Sequence, residues 1–190
     1  MRLIDSFSFA GQNKTTPKFI TKGKFMLLIL ATTGGSNLEL GKKVEAAAEV
    51  KGIATTLIDL SDYRIPLFCM RDYEAGPGED YAKLHRQVLD ADALWVSAPE
   101  YNGSIPPNLT SAIAWMSTQG DDFREMFTGL PVALSTHSGG GGQKVLTAMR
   151  TQFGHLGSTV IGREILASKH KEPNPDSIDA MLETLKKMMG

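Results

Sequence analysis

The chain has 190 residues, with 20 basic against 21 acidic side chains and a formal net charge of −1. That near balance leaves no broad field to gather nucleic acid or an anionic membrane surface. A content of 42% hydrophobic and 22% charged residues fits a globular chain with one full-sized core.

The single cysteine, Cys69, excludes an internal disulfide and a cysteine-rich zinc site. The longest apolar run, Phe25 to Ala31, is too short to span a bilayer. A reducing cytoplasm is therefore the expected setting.

Residues 1–23 are rich in Ser, Thr and Lys, with Asp5 their only acid, and lack the apolar h-region of a secretory signal. They read as a loose extension or as a leader upstream of a start at Met26, with a transit peptide as a third reading. No chemistry is expected of them, and residues 24–190 form the predicted domain.

The first strand candidate is FMLLILA (25–31), followed by a helix with Leu40, Val44, Ala47 and Ala48 on one face. IATTLIDL (53–60) is the second strand, and Leu84, Val88 and Leu89 mark the second helix. ALWVSA (93–98) precedes a helix carrying Leu109, Ala112, Ile113 and Met116. PVALST (131–136) leads to a helix with Leu146, Met149 and Phe153, which Gly154 is expected to end. STVIG (158–162) is the last strand, and a final helix over 176–189 places Ile178, Met181, Leu182, Leu185 and Met188 on one side.

Most of these strands are continuous apolar or β-branched runs, as strands buried on both faces of a parallel sheet require. Strict alternation over five units predicts an α/β fold: a doubly wound five-stranded parallel sheet in a three-layer α/β/α sandwich. Ligands of such sheets bind beyond the carboxyl ends of the strands, near the switch in strand order. The loops after strands one, three and four are accordingly the candidate site.

Ala31 to Gly41, "ATTGGSNLELG", turns into a helix at Ser36. Free amides and the positive end of the helix dipole suit a phosphate there, with hydroxyls of Thr32, Thr33 and Ser36 and the amide of Asn37 as further donors. Ser36-x-x-Glu39 is also a capping box that would satisfy the same amides internally, so both readings stand. Neither a Gly-x-Gly-x-x-Gly fingerprint nor a P-loop is present.

The second loop, "PEYNGS" (99–104), is longer than a capped helix entry needs. Tyr101 offers an aromatic face, Asn102 a donor and an acceptor, and Gly103 room for a flat ligand; a purely structural turn is the alternative. The third loop, "STHSGGGGQ" (135–143), carries four consecutive glycines. Bare backbone against a bulky ligand explains them, and so does a flexible hinge. Jointly the loops suggest a phosphate socket beside a slot lined by peptide groups, which suits a nucleotide with a flat heteroaromatic end.

"PEYNGSIP" and the surrounding "DADALWVSAPEYNGSIPPNLTSAIAW" resemble the NADPH-dependent FMN reductase family, and the likeness extends from Met26 to about Gly162. The resemblance implies a flavodoxin-like fold, FMN as cofactor and NADPH or NADH as co-substrate. It implies that Thr32, Ser36 and Asn37 hold the FMN phosphate. Pro99, Glu100, Tyr101, Asn102, Gly103 and Ser104 would border the ring, and Ser135, Thr136, His137, Ser138 and Gly139 would close its far side.

The implied activity moves hydride from NAD(P)H through the flavin to a small acceptor such as a flavin, a quinone or an azo compound. The flavin carries the chemistry, so no catalytic side chain is expected. Main-chain donors near Asn102–Ser104 and His137–Gly139 are expected to steady the charge it gains. The implied assembly is a homodimer or homotetramer; no nucleic-acid, membrane or metal partner is expected.

The family's first loop usually carries an extra arginine and about two more residues, whereas this one is shortened to "TTGGSN". Hydrogen bonds to a charged group contribute about 1.5–3 kcal/mol each, so their loss weakens FMN by one to two powers of ten. FMN is expected to bind weakly or to exchange. The competing reading is a flavodoxin-like electron carrier, which the near-neutral charge and the aromatic-free glycine loop disfavour.

The remaining candidates are expected to be bystanders: Cys69 lacks a partner histidine, and His85, His155 and His170 are packing or surface residues. Trp95 is assigned to the core and Trp115 to the interior or a subunit interface; Arg71 could meet an incoming NADPH phosphate, although nothing local requires it.

Overall fold

The computed structural model describes residues 25–118, 122 and 124–189, so the extension expected at 1–23 lies outside the described residues. Where the apolar runs are continuous, central strands form: β1 (Met26–Ala31), β3 (Ala93–Ser97) and β4 (Pro131–His137) are buried almost throughout. β2 (Ala54–Asp59) and β5 (Thr159–Ala167) take the edges. All pairings are parallel, in the order β2-β1-β3-β4-β5.

Alternate side chains of each strand feed opposite layers. Leu28, Leu30, Leu94, Val96, Val132 and Leu134 pack toward α2 (Gly78–Leu89), α3 (Pro107–Met116) and α4 (Gln143–His155). Leu27, Ile29, Ala93, Trp95 and Ala133 pack toward α1 (Ser36–Val50) and α5 (Pro175–Met189). This is the expected flavodoxin-like three-layer sandwich. The chain passes from β1 outward to β2 and then back across to β3, so the switch in strand order lies between β1 and β3.

Several boundaries differ from the sequence reading. β5 runs on to Ala167 past Gly162, although Arg163 and Glu164 break the apolar pattern. Glu164 is accommodated because it accepts from Arg150 Nε at 2.8 Å and Nη2 at 2.6 Å. α4 continues through Gly154 to His155. It closes with Gly157 N–H donating to Gly154 O at 3.1 Å and Ser158 N–H to Phe153 O at 3.0 Å, the paired bonds of a Schellman end.

Leu89, the last residue of α2, is exposed, as is Met188. At about 100° per residue, Met189 returns to the face of Ile178 and Met188 does not, and Met189 is the one buried.

Between β2 and α2, residues 64–76 form a strap over α3. Trp115 Nε1 and Ser111 Oγ both donate to Pro66 O, at 2.8 and 3.1 Å, and Phe68 meets Trp115 edge-on at 5.0 Å. Trp115 is therefore interior, fully buried beneath the strap, and Cys69 is half-buried within it.

Tyr81 of α2 is 5% exposed, and its hydroxyl has no hydrogen-bond partner among the described residues. Burial pushes its pKa up to about 12 from 10.0. The unfolded chain therefore ionises first as pH rises through 10, and the folded state loses stability until about pH 12. Tyr81→Phe is expected to leave urea stability at neutral pH within about 1 kcal/mol of wild type. It should also remove about 2 kcal/mol of the alkaline loss. Urea melts of both proteins at pH 7 and pH 11.5 check this, and parallel alkaline losses would refute it.

Candidate functional site at the rim of the sheet

At the carboxyl ends of β1, β3 and β4, three loops are fastened to one another by buried side chains. Asn37, 3% exposed in the first turn of α1, donates from Nδ2 to His137 O at 2.9 Å. Its Oδ1 accepts from His137 N–H at 2.9 Å and from Ser97 Oγ at 3.1 Å. These bonds engage three of the four positions the amide offers. Asn37 thus binds α1 to β4 and β3, and does not turn its carbonyl outward.

A second clamp comes from Asn108 near the start of α3, whose Nδ2 donates to Thr32 O. A third joins the β3 and β4 loops: Glu100 N–H donates to Ser138 Oγ at 2.8 Å, and Ser138 Oγ lies 2.7 Å from Thr136 Oγ1. Ser135 is directed inward, accepting from Trp95 Nε1 at 2.9 Å. The hydroxyls of Ser135, Thr136 and Ser138 are all buried, so these residues build the rim from beneath.

The β1 loop enters α1 without a side-chain cap. Gly35 occupies the N-cap, Ser36 already stands within the helix, and Glu39 Oε1 pairs with Lys42 Nζ at 2.8 Å. The capping box read from the sequence is therefore not formed, because Ser36 sits one position too late. Among the described residues the amides of Ser36, Asn37 and Leu38 have no partner, and they stand as free donors at the positive end of the helix. Beside them Thr32 is fully buried, and its Oγ1 has no partner among the described residues. Uncapped amides and an orphaned hydroxyl together fit a phosphate.

Tyr101 to Ser104 form a two-residue hairpin, with reciprocal main-chain bonds of 3.0 Å between its end residues. Asn102 and Gly103 both have positive φ, 52° and 75°, the pattern of a type I′ Asn-Gly turn. The segment is thus a tight hairpin that stands on the surface: Tyr101 is 47% exposed, and Asn102 and Ser104 are exposed. Glu100, Tyr101, Asn102, Ile105 and Pro107 line a cavity of about 390 Å³ beside it.

The four glycines divide into two kinds. Side chains built at Gly139, Gly140 and Gly141 would meet nothing within 4 Å, so their backbone faces open space. Gly142 is structural: its φ is 71°, and a Cβ there would lie 2.9 Å from Thr136 Cγ2.

Of the main-chain donors expected to face a ring, Ser104, His137 and Ser138 are engaged within the protein, by Tyr101 O, Asn37 Oδ1 and Ala167 O. The N–H groups of Asn102, Gly103 and Gly139–Gly141 have no partner among the described residues.

His137 lines a groove of about 360 Å³ that begins at the head of α1, with Gly35, Ser36, Glu39, Leu40, Lys43, Glu172 and Pro173. There Lys43 Nζ meets Glu172 at 2.8 Å, and that hydrogen bond and charge hold the Glu172 carboxyl below its usual range. Sequence reasoning missed Ser97 and Asn108. An Asn just after Pro106-Pro107, at the mouth of a helix, is the faint signal that marks the second. Among the described residues no cluster of three or more His, Cys, Asp or Glu side chains is placed to hold a metal.

The three loops gathered at the carboxyl rim of this α/β sheet set an uncapped helix start beside a run of open glycine backbone. The family model for NADPH-dependent FMN reductase matches residues 25–172, and the chain belongs to that family. An NAD(P)H-dependent FMN reductase of Pseudomonas aeruginosa is 34% identical over 110 residues, covering 58% of this chain and 54% of that protein. An uncharacterised Mycoplasma pneumoniae protein is 25% identical over 77% of this chain and 89% of its own length. Among solved structures, the flavoenzyme NAD(P)H:(acceptor) oxidoreductase FerB of Paracoccus denitrificans shares the fold. Its TM-score is 0.67 at 17% identity, with 87% of this chain and 95% of that one covered. The chain is thus an NAD(P)H-dependent flavin oxidoreductase with FMN as its flavin. Among the described residues no helix is long and apolar enough to cross a membrane.

Proposed function

We propose that FMN lies along this rim, its phosphate at the first turn of α1 and its ring between the Tyr101–Ser104 hairpin and Gly139–Gly141. Electrons pass from NADPH or NADH to a small planar acceptor, of the free flavin, quinone or azo class, that enters over the glycine face. The observation carrying this reading is the uncapped start of α1 beside the orphaned Thr32 Oγ1.

When bound, FMN supplies the two-electron chemistry, so the chain's task is to place it and shape its field. The amides of Ser36, Asn37 and Leu38 take the phosphate, with hydroxyls of Thr32 and Ser36 beside them. Pro99 and Tyr101–Ser104 form one wall of the slot and the bare glycines the other. Asn102, Gly103 and Gly139–Gly141 offer N–H donors toward any charge the ring system gains. Asn37, Ser135, Thr136 and Ser138 hold those walls in place. Open space at Gly139–Gly141 leaves room for a nicotinamide, which favours an enzyme over an electron carrier.

A cytoplasmic homodimer or homotetramer is the proposed assembly, supported by the exposed Leu67 and Met70 on the strap. The test is a visible-light titration of the purified full chain with FMN and riboflavin, followed by NADPH and NADH oxidation. FMN should bind at least tenfold tighter than riboflavin, since one charged hydrogen bond already accounts for that factor. Turnover should depend on FMN. Flavin uptake with negligible turnover would indicate a carrier, and neither uptake nor turnover would overturn the reading.

A further inference from the structure

α4 begins without a cap from its own segment, because Gly142 stands at its N-cap with no side chain to offer. Its first-turn amides are met from another loop: Glu100 Oε2 accepts from Lys144 N–H at 3.2 Å and Val145 N–H at 3.4 Å. The main chain of the same residue donates to Ser138 Oγ at 2.8 Å. Glu100 therefore grips both ends of the glycine run, its N–H at Ser138 and its carboxylate at the head of α4.

Between those grips, a Cβ built at Gly139, Gly140 or Gly141 would meet nothing within 4 Å, and no main-chain hydrogen bond among the described residues holds them. Glycine has more backbone freedom to lose than any other residue, so an untethered run would sample many shapes. We propose that Glu100 is a positioning residue that fixes the distance between the hairpin and the Gly139–Gly142 segment, and so prearranges the ring slot, acting through the α4 cap. The inference rests on the FMN reading of the rim. It departs from the expectation that this side chain borders the ring. A negatively charged cap also sits favourably at the positive end of α4.

Two measurements on the full-length chain test it, amide hydrogen exchange without ligand and titration with FMN. Glu100→Ala should speed exchange at residues 139–145 at least tenfold while the central strands keep their protection. It should weaken FMN at least tenfold. Glu100→Gln, which keeps an accepting oxygen, should stay within threefold of wild type in both readouts and leave the flavin midpoint potential unchanged.

Should Glu100→Ala fail to fold, Glu100→Asp takes its place, its reach shorter by one methylene. Equal FMN loss in the Gln and Ala variants with unchanged exchange, or a potential shifted by Gln, would overturn the proposal in favour of direct contact with the ring. Failure of wild type to take up FMN would count against the flavin reading, and the exchange measurements would still judge the clasp by themselves.

Discussion

Asn37→Leu should lower the stability of the fold by about 3–5 kcal/mol, the largest effect expected of any single rim substitution. The leucine is close in volume, so the cost is not a cavity. It arises because His137 N–H, His137 O and Ser97 Oγ all lose their shared partner in a site that is 3% exposed. Each buried polar group left unpaired costs about 1–3 kcal/mol, against a typical total of about 5–15 kcal/mol. In a domain of this size that corresponds to a drop in Tm of about 6–20 °C.

Asn37→Asp should be nearly as damaging, since it sets a carboxylate against His137 O where an N–H had donated. Thermal and urea melts of both variants provide the measurement. A loss below about 1 kcal/mol for the leucine variant would mean that α1 and β4 are not joined in this way.

Gly103→Val ranks second, with FMN affinity expected to fall about a hundredfold, roughly 2.8 kcal/mol. Gly103 has a φ of 75°, which a β-branched residue strongly disfavours. Its added Cβ would also lie 3.3 Å from Lys144 Cδ. The hairpin must then open, displacing the wall formed by Asn102 and Ser104.

The turn geometry adds about 1–2 kcal/mol of backbone strain to the valine variant. Gly103→Asn tolerates the left-handed conformation and should keep FMN within tenfold. Titrations of both variants decide the matter, and wild-type affinity in the valine variant would remove the hairpin from the site.

These two residues also show what could be read from the sequence and what could not. Gly103 belongs to a local pattern, and Asn-Gly between a tyrosine and a serine announces its own turn. Asn37 does not, because its partners His137 and Ser97 stand 100 and 60 residues away and nothing in either segment signals the pairing.

The same division runs through the fold. β1, β3 and β4 are evident from their apolar runs, since strands covered on both faces tolerate little else. β5 is cut short in that reading because Glu164 looks like an ending until Arg150, a helix away, is seen to pair with it. Ser36-x-x-Glu39 matches a capping box by spacing, yet the helix begins one residue early and leaves the box unused. The loops of the rim are legible; the clamps beneath them, Ser97, Asn108 and Glu100, depend on contacts that only the folded chain brings about.

The span of Asn37 bears on how the protein is made. Its two anchor points, at the head of α1 and the tip of β4, leave the ribosome about a hundred codons apart. Until β4 emerges, Asn37 has no His137 to bind, and the early β-α-β segment lacks the third loop of the rim. Closure of the rim therefore follows synthesis of β4 and cannot guide the folding of the amino-terminal half.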